Sequence, residues 1–156
     1  MFGATSNSLK IVLIVLFYQL CCTHAQFNFH IAPYATNWFE ASEYCHRMHW
    51  QLAIVDSEEK HNAVVDAAKA TGLHSSGYFG VWLGATRLAQ TDIFTWHNTG
   101  RILEFTRWAP GEPSEYGEEC VMIAYWPSQG FYWTWNDAYC LEKYYAICEF
   151  RSCILD

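Results

Sequence analysis

The sequence has no apolar run long enough to cross a membrane. Its longest, IVLIVLFYQLCC from Ile11 to Cys22, covers twelve residues, short of the roughly seventeen that a spanning helix needs. Basic residues are scarce too, with 9 Lys and Arg against 16 Asp and Glu and a formal net charge of −7. So acidic a chain repels phosphate backbones and anionic lipid, which excludes nucleic acid and membrane surfaces as partners. No Asn-x-Ser/Thr acceptor occurs, so no N-glycan is expected. Nor is there a Gly-x-Ser-x-Gly or Ser-His-Asp pattern, and His46, His49 and His61 have no Cys or carboxylate at zinc spacing. Catalysis therefore has no support, and these histidines read as surface or packing groups. Repeats, linkers and low-complexity tracts are missing as well, so 156 residues amount to one domain.

The apolar run reads instead as part of a leader. Lys10 precedes it and Thr23-His24-Ala25 follows with small residues, so residues 1–25 are expected to be a secretory signal peptide cleaved before Gln26, leaving 26–156 as the secreted domain. The leader removes one Lys and no acid, making the remainder one unit more negative than the whole. Of the 7 cysteines, Cys45, Cys120, Cys140, Cys148 and Cys153 stay. In an oxidising compartment they should form two bridges with one thiol over, and cysteine counting leaves the pairing open.

Along the domain, Phe27, Phe29 and Ile31 alternate with polar residues as in a strand, and Pro33-Tyr34 reads as a turn. From Asn37 to Met48 the apolar residues Trp38, Ala41, Cys45 and Met48 recur at the helical period. After a short buried link at Leu52 to Ile54, Asp56 or Ser57 can cap a second helix whose acidic Glu58 and Glu59 suit its positive end, and which Gly72 can stop. Beyond Gly72, glycines, aromatics and frequent turns replace helix formers. Short apolar pieces at Val81-Trp82-Leu83-Gly84, Phe94-Thr95-Trp96, 121–125, 131–135 and 145–150 then read as strands, giving an α+β class.

Between Gly111 and Cys140 the chain concentrates acid. Glu112, Glu115, Glu118 and Glu119 crowd into eight residues, and Asn136-Asp137 follows. Carboxylates this dense repel one another unless solvated or bridged by a cation, and calcium takes six to eight oxygens from such groups.

The order Glu-Pro, Glu-Glu-Cys, Trp-Asn-Asp resembles the carbohydrate-recognition domain of the C-type lectins. WFEASEYC with LAIVDSEEK, VWLG and FTWHNTGRILEFTRWAPGEPS extend the resemblance over residues 27–150. It implies a C-type lectin-like fold of two helices, short antiparallel strands and a long calcium-binding loop region, stapled by bridges Cys45–Cys148 and Cys120–Cys140, with Trp82, Trp96 and Trp108 as packing residues. Cys153 is then left over. It could be free, link two chains into a dimer, or pair with Cys21 or Cys22.

The resemblance further implies one Ca2+ held by Glu112, Ser114, Glu118, Asn136 and Asp137, with a cis Glu112-Pro113 bond. A sugar bound there would contact Glu112, Ser114, Tyr116, Glu118 and Asn136. Where mannose-type members carry Asn, this chain has Ser114, with one hydroxyl and a shorter reach. Glu112 before the proline favours mannose, fucose or N-acetylglucosamine, while Tyr116 suits stacking on galactose. A second calcium of some members would need acids near Thr91 and Arg87. Since a cation at Arg87 opposes a metal, that auxiliary site is not expected, and Glu119 reads as a surface charge or an ion-pair partner. The expected function is that of a secreted, non-enzymatic lectin for glycans on microbial or other cell surfaces. The rival is a protein-binding or structural member that has lost calcium or sugar.

Overall fold

The computed structural model describes residues 8, 10–12, 25–90, 92–114 and 117–153. At 25–26 and 151–153 only the backbone is described. The leader expected at 1–25 falls almost wholly outside the described residues, as do Thr91, Glu115, Tyr116 and the side chain of Cys153. Among the described residues, no helix is long and apolar enough to cross a membrane. Residues 29–150 form one compact unit, and the two chain ends form another, extended at 25–28 and 151–153.

The elements run β1 (Ala25–Thr36), α1 (Trp38–Arg47), β2 (Gln51–Leu52), α2 (Glu58–Ala70), β3 (Phe79–Thr86), β4 (Thr95–Trp96), β5 (Cys120–Trp126), β6 (Phe131–Ala138) and β7 (Tyr144–Cys153). The strands join in the order β1-β7-β3-β5-β6, with β2 on β7 and β4 on β3. Among the registers, β3 with β5 and β5 with β6 are antiparallel, but β7 runs parallel to β3 through Val81↔Tyr145 and Trp82↔Ala146. The antiparallel strands implied by the resemblance are thus present, joined by one parallel pairing at the sheet's centre, where the last strand lies between β1 and β3.

Both helices start as their sequences dictate. Asn37 caps α1 by accepting the Glu40 backbone N–H at 3.0 Å. Ser57, not Asp56, caps α2, accepting the Lys60 N–H at 3.2 Å. Asp56 is engaged elsewhere, 3.3 Å from Lys60 Nζ and 3.1 Å from Arg101 Nη2. Gly72 ends the second helix at φ 71°, a backbone conformation that costs glycine little.

Each helix covers one face of the sheet. On one side Trp38, Ala41 and Cys45 of α1 pack with Trp82, Met122, Ala124, Ala146 and Cys148. On the other, Val64, Val65 and Ala68 of α2 pack with Val81, Leu83, Val121, Ile123, Trp135 and Ile147. β3 therefore loses both faces to the interior, which is why its sequence is apolar without alternation. Gly84 lets β2 pass close: a Cβ there would meet the Leu52 carbonyl oxygen at 2.9 Å.

The bridges are Cys45–Cys148 and Cys120–Cys140, at sequence separations of 103 and 20. On the chain-entropy account these contribute about 4.7 and about 3 kcal/mol. Trp82 and Trp96 are buried as expected, while Trp108 is half-buried against the core. One further correction concerns β1, which continues through Pro33-Tyr34 where the sequence suggested a turn. The strand lies at the sheet's edge, and an edge tolerates a proline that cannot donate.

Candidate functional site

The end of the β5–β6 hairpin supplies the frame. Val121↔Asp137 and Cys120↔Ala138 are paired, so Asp137 lies beside the strand that the acidic loop runs into, with the Cys120–Cys140 bridge adjacent. The incoming loop is pinned to β6 on both sides of one residue. Trp135 donates its backbone N–H to the Arg107 carbonyl at 2.7 Å and accepts the Ala109 N–H at 2.9 Å. Glu112 then donates its N–H to the Ala109 carbonyl at 3.0 Å, and the Glu112-Pro113 bond is cis.

This folding brings Glu112, Glu118 and Asp137 together, with one carboxylate oxygen from each within 4.8 Å of the others. Calcium holds its oxygens at 2.3–2.6 Å, so two ligands on opposite sides of one ion are about 5 Å apart. Spacing and donor chemistry both fit a hard divalent cation. Asp137 is fully buried, whereas Glu112 and Glu118 are half-exposed.

Ser114 sits on this cluster. Its backbone N–H donates to Asp137 Oδ1 at 3.0 Å, and its hydroxyl donates to Glu118 Oε2 at 3.3 Å. Asn136 precedes Asp137 on β6 and is half-exposed. Glu119 stands outside the group of three carboxylates.

One participant was not foreseen as such. Arg87, just past β3, donates from Nη2 to Asp137 Oδ2 at 3.0 Å and from Nε to the Glu118 carbonyl at 3.1 Å. Its sequence signal was a cation where an acid would serve a second metal. The pairing with Asp137, fifty residues away, is visible only in the fold.

The family model described as Lectin C-type domain matches residues 34–150. Salivary C-type lectin 1 of Aedes albopictus is 38% identical over 115 residues, 72% of this chain and 75% of that protein. C-type lectin mosGCTL-7 of Aedes aegypti is 34% identical over 145 residues, 92% of this chain and 94% of that protein. Among solved structures, the mouse scavenger receptor C-type lectin carbohydrate-recognition domain has a TM-score of 0.68 at 21% identity, covering 86% of this chain and 98% of that one, a likeness that speaks for the fold. The chain thus belongs to the C-type lectin family, whose members are carbohydrate-binding proteins and not enzymes.

Proposed function

We propose that this chain is a secreted, calcium-dependent carbohydrate-binding lectin that recognises glycans on microbial or other cell surfaces. The observation that carries the reading is the convergence of Glu112, Glu118 and Asp137 within 4.8 Å. A calcium ion bound there supplies positive charge and open coordination positions for two neighbouring sugar hydroxyls. Around that centre the chain's own groups orient the sugar. The Asn136 carboxamide can donate to a hydroxyl and the Glu112 and Glu118 carboxylates can accept from one. Ser114 adds a single hydroxyl, one hydrogen-bonding group fewer than an amide would bring.

Glu112 before Pro113 favours sugars of the mannose and fucose type, with Tyr116 as the feature that would admit galactose. The two disulfides suit an oxidising, extracellular setting. A single exposed site binds weakly, so a link between two chains through Cys153 would raise avidity.

A glycan array with and without calcium tests this reading. The expected result is binding to mannose- or fucose-terminated glycans that chelator abolishes. Binding that ignores chelator, or no glycan binding, would favour the second reading, a protein-binding or structural domain without calcium. The observation on that side is Arg87, whose guanidinium already pairs with Asp137.

A further inference from the structure

Arg87 is held too firmly to count as an ordinary surface charge. Besides its bonds to Asp137 and to the Glu118 carbonyl, its backbone N–H donates to the Glu119 carbonyl at 2.9 Å. Its guanidinium carbon lies 5.0 Å from the centroid of the Phe94 ring, a cation–π distance. The Arg87 side chain is 17% exposed, and that of Asp137 0%. Three side-chain contacts, on a backbone itself hydrogen-bonded, therefore fix one positive charge against a carboxylate that the metal reading also requires.

We propose that Arg87 is the resident cation of this site. It neutralises part of the Glu112–Glu118–Asp137 cluster, ties Asp137 on β6 to the Glu118 backbone when no metal is bound, and raises the calcium concentration at which the site fills. This inference rests on the calcium reading above.

Two effects of opposite sign decide what happens when the charge is removed. A guanidinium and a dication on the same carboxylate repel each other, and at the edge of a protein that repulsion is several times greater than in bulk water. Removing the charge therefore favours calcium. Against this, Arg87 also orients Asp137 and the Glu118 backbone, and loosening either would disfavour calcium.

The second effect is the smaller because other groups hold the same atoms. Ser114 N–H fixes Asp137 Oδ1, the pairing Val121↔Asp137 fixes its backbone, and the Cys120–Cys140 bridge fixes the strand ends. A Gln at position 87 keeps N–H donors while losing the charge, so the charge effect dominates in that variant. Without metal, the same substitution takes the guanidinium from Asp137, one of three carboxylates within 4.8 Å of one another, and the metal-free fold weakens. The repulsion that weakens the metal-free fold is relieved when calcium binds, so while the protein stays folded it too favours calcium. In the wild type, Arg87 thereby tunes the site to abundant extracellular calcium and away from trace amounts.

The test is calcium titration calorimetry on the purified, oxidised wild type, Arg87→Gln and Arg87→Lys, with thermal melts in chelator and in calcium. Arg87→Gln is expected to bind calcium about tenfold more tightly, to melt lower in chelator, and to gain more from calcium than the wild type does. Arg87→Lys keeps the charge and guards against a folding failure of the first variant. It should bind calcium within a few-fold of wild type.

Equal or weaker calcium binding by Arg87→Gln overturns the proposal. So does an equal fall in melting temperature with and without calcium, which is what a purely structural role gives. The wild-type isotherm separately reports on the calcium reading. Calcium heat from Arg87→Gln alone supports the resident-cation role while removing calcium from the wild-type function, and no heat from either protein overturns both.

Discussion

Trp135 donates its indole N–H to Nδ1 of His61 across 3.2 Å, joining β6 to α2 in the interior. To accept that proton Nδ1 must carry a lone pair, so the native imidazole is neutral. Burial pushes the His61 pKa below its ordinary value, with Arg107 adding to the shift and Glu58 opposing it. The unfolded chain then binds more protons than the native one below about pH 6.5. The stability that neutral His61 contributes is complete above that pH and is lost as pH falls through it toward the lowered native value. For one proton the slope cannot exceed about 1.4 kcal/mol per pH unit. Denaturant melts between pH 7.5 and 5 should show the decline, and His61→Gln should flatten this component. An unchanged pH dependence in the variant would show that His61 is not the group responsible. Because Trp135 also pins the loop that carries Glu112, acid should loosen the site along with the core.

Lys60 and Glu149 form a second buried join, between α2 and β7. Lys60 Nζ donates to the Ile54 carbonyl at 2.8 Å and lies 3.5 Å from Glu149 Oε2, with both side chains under 10% exposed. Glu149 also accepts from Gln51 Nε2 at 2.6 Å and the Ile54 N–H at 3.2 Å. Lys60→Met should therefore cost about 3–5 kcal/mol, because it leaves a buried carboxylate without its cation. Adding Glu149→Gln should recover part of that loss, since the amide keeps acceptor capacity and carries no charge. Chemical denaturation of the two single variants and the double variant measures the coupling. Additive losses would mean the pair does not act as a unit.

The Cys120–Cys140 bridge closes only 20 residues, yet it sits beside the carboxylate cluster. Replacing both cysteines with Ala should lower unfolding stability by about 3 kcal/mol. It should also weaken calcium binding, because the hairpin end that presents Asp137 gains freedom. Paired denaturation and calcium titrations check both effects. A variant that loses stability but keeps its calcium affinity would show that strand pairing alone orders the site.

What the residues disclosed in advance was local. The cap at Ser57, one of two candidates, the helical period of Trp38, Ala41 and Cys45, and the apolar run of β3 are short-range signals that the tertiary structure leaves intact. Pro33-Tyr34 misled because a proline in an edge strand looks, residue by residue, like one in a turn. The parallel placement of β7 was hidden because strand order depends on contacts between segments some sixty residues apart. The density of acid marked the loop, and the family resemblance singled out Glu112, Glu118 and Asp137, which the fold brings within 4.8 Å of one another. Arg87 announced only that it opposed a second metal, and its role beside Asp137 had to wait for the fold.

Glu118 and Glu119 are neighbours with the same side chain, so they give the site its sharpest internal control. The fold assigns them different duties. Glu118 joins Glu112 and Asp137 and accepts the Ser114 hydroxyl, while Glu119 lies outside the group and meets Arg87 through its backbone carbonyl. Glu118→Gln removes one of three negative charges from the cluster without changing its size. Calcium affinity should then fall about a hundredfold or more, because each carboxylate ligand interacts with the dication at short range and partial burial. Glu119→Gln keeps the backbone carbonyl that Arg87 uses, and should bind calcium within a few-fold of wild type. Both variants should keep the two disulfides and melt near the wild type in chelator, with Glu118→Gln melting slightly higher because one of three mutually repelling charges is gone. Calcium titration and elution from mannose resin by chelator read the outcome. If Glu119→Gln lost calcium while Glu118→Gln kept it, the ligand assignment would be wrong even with the fold intact.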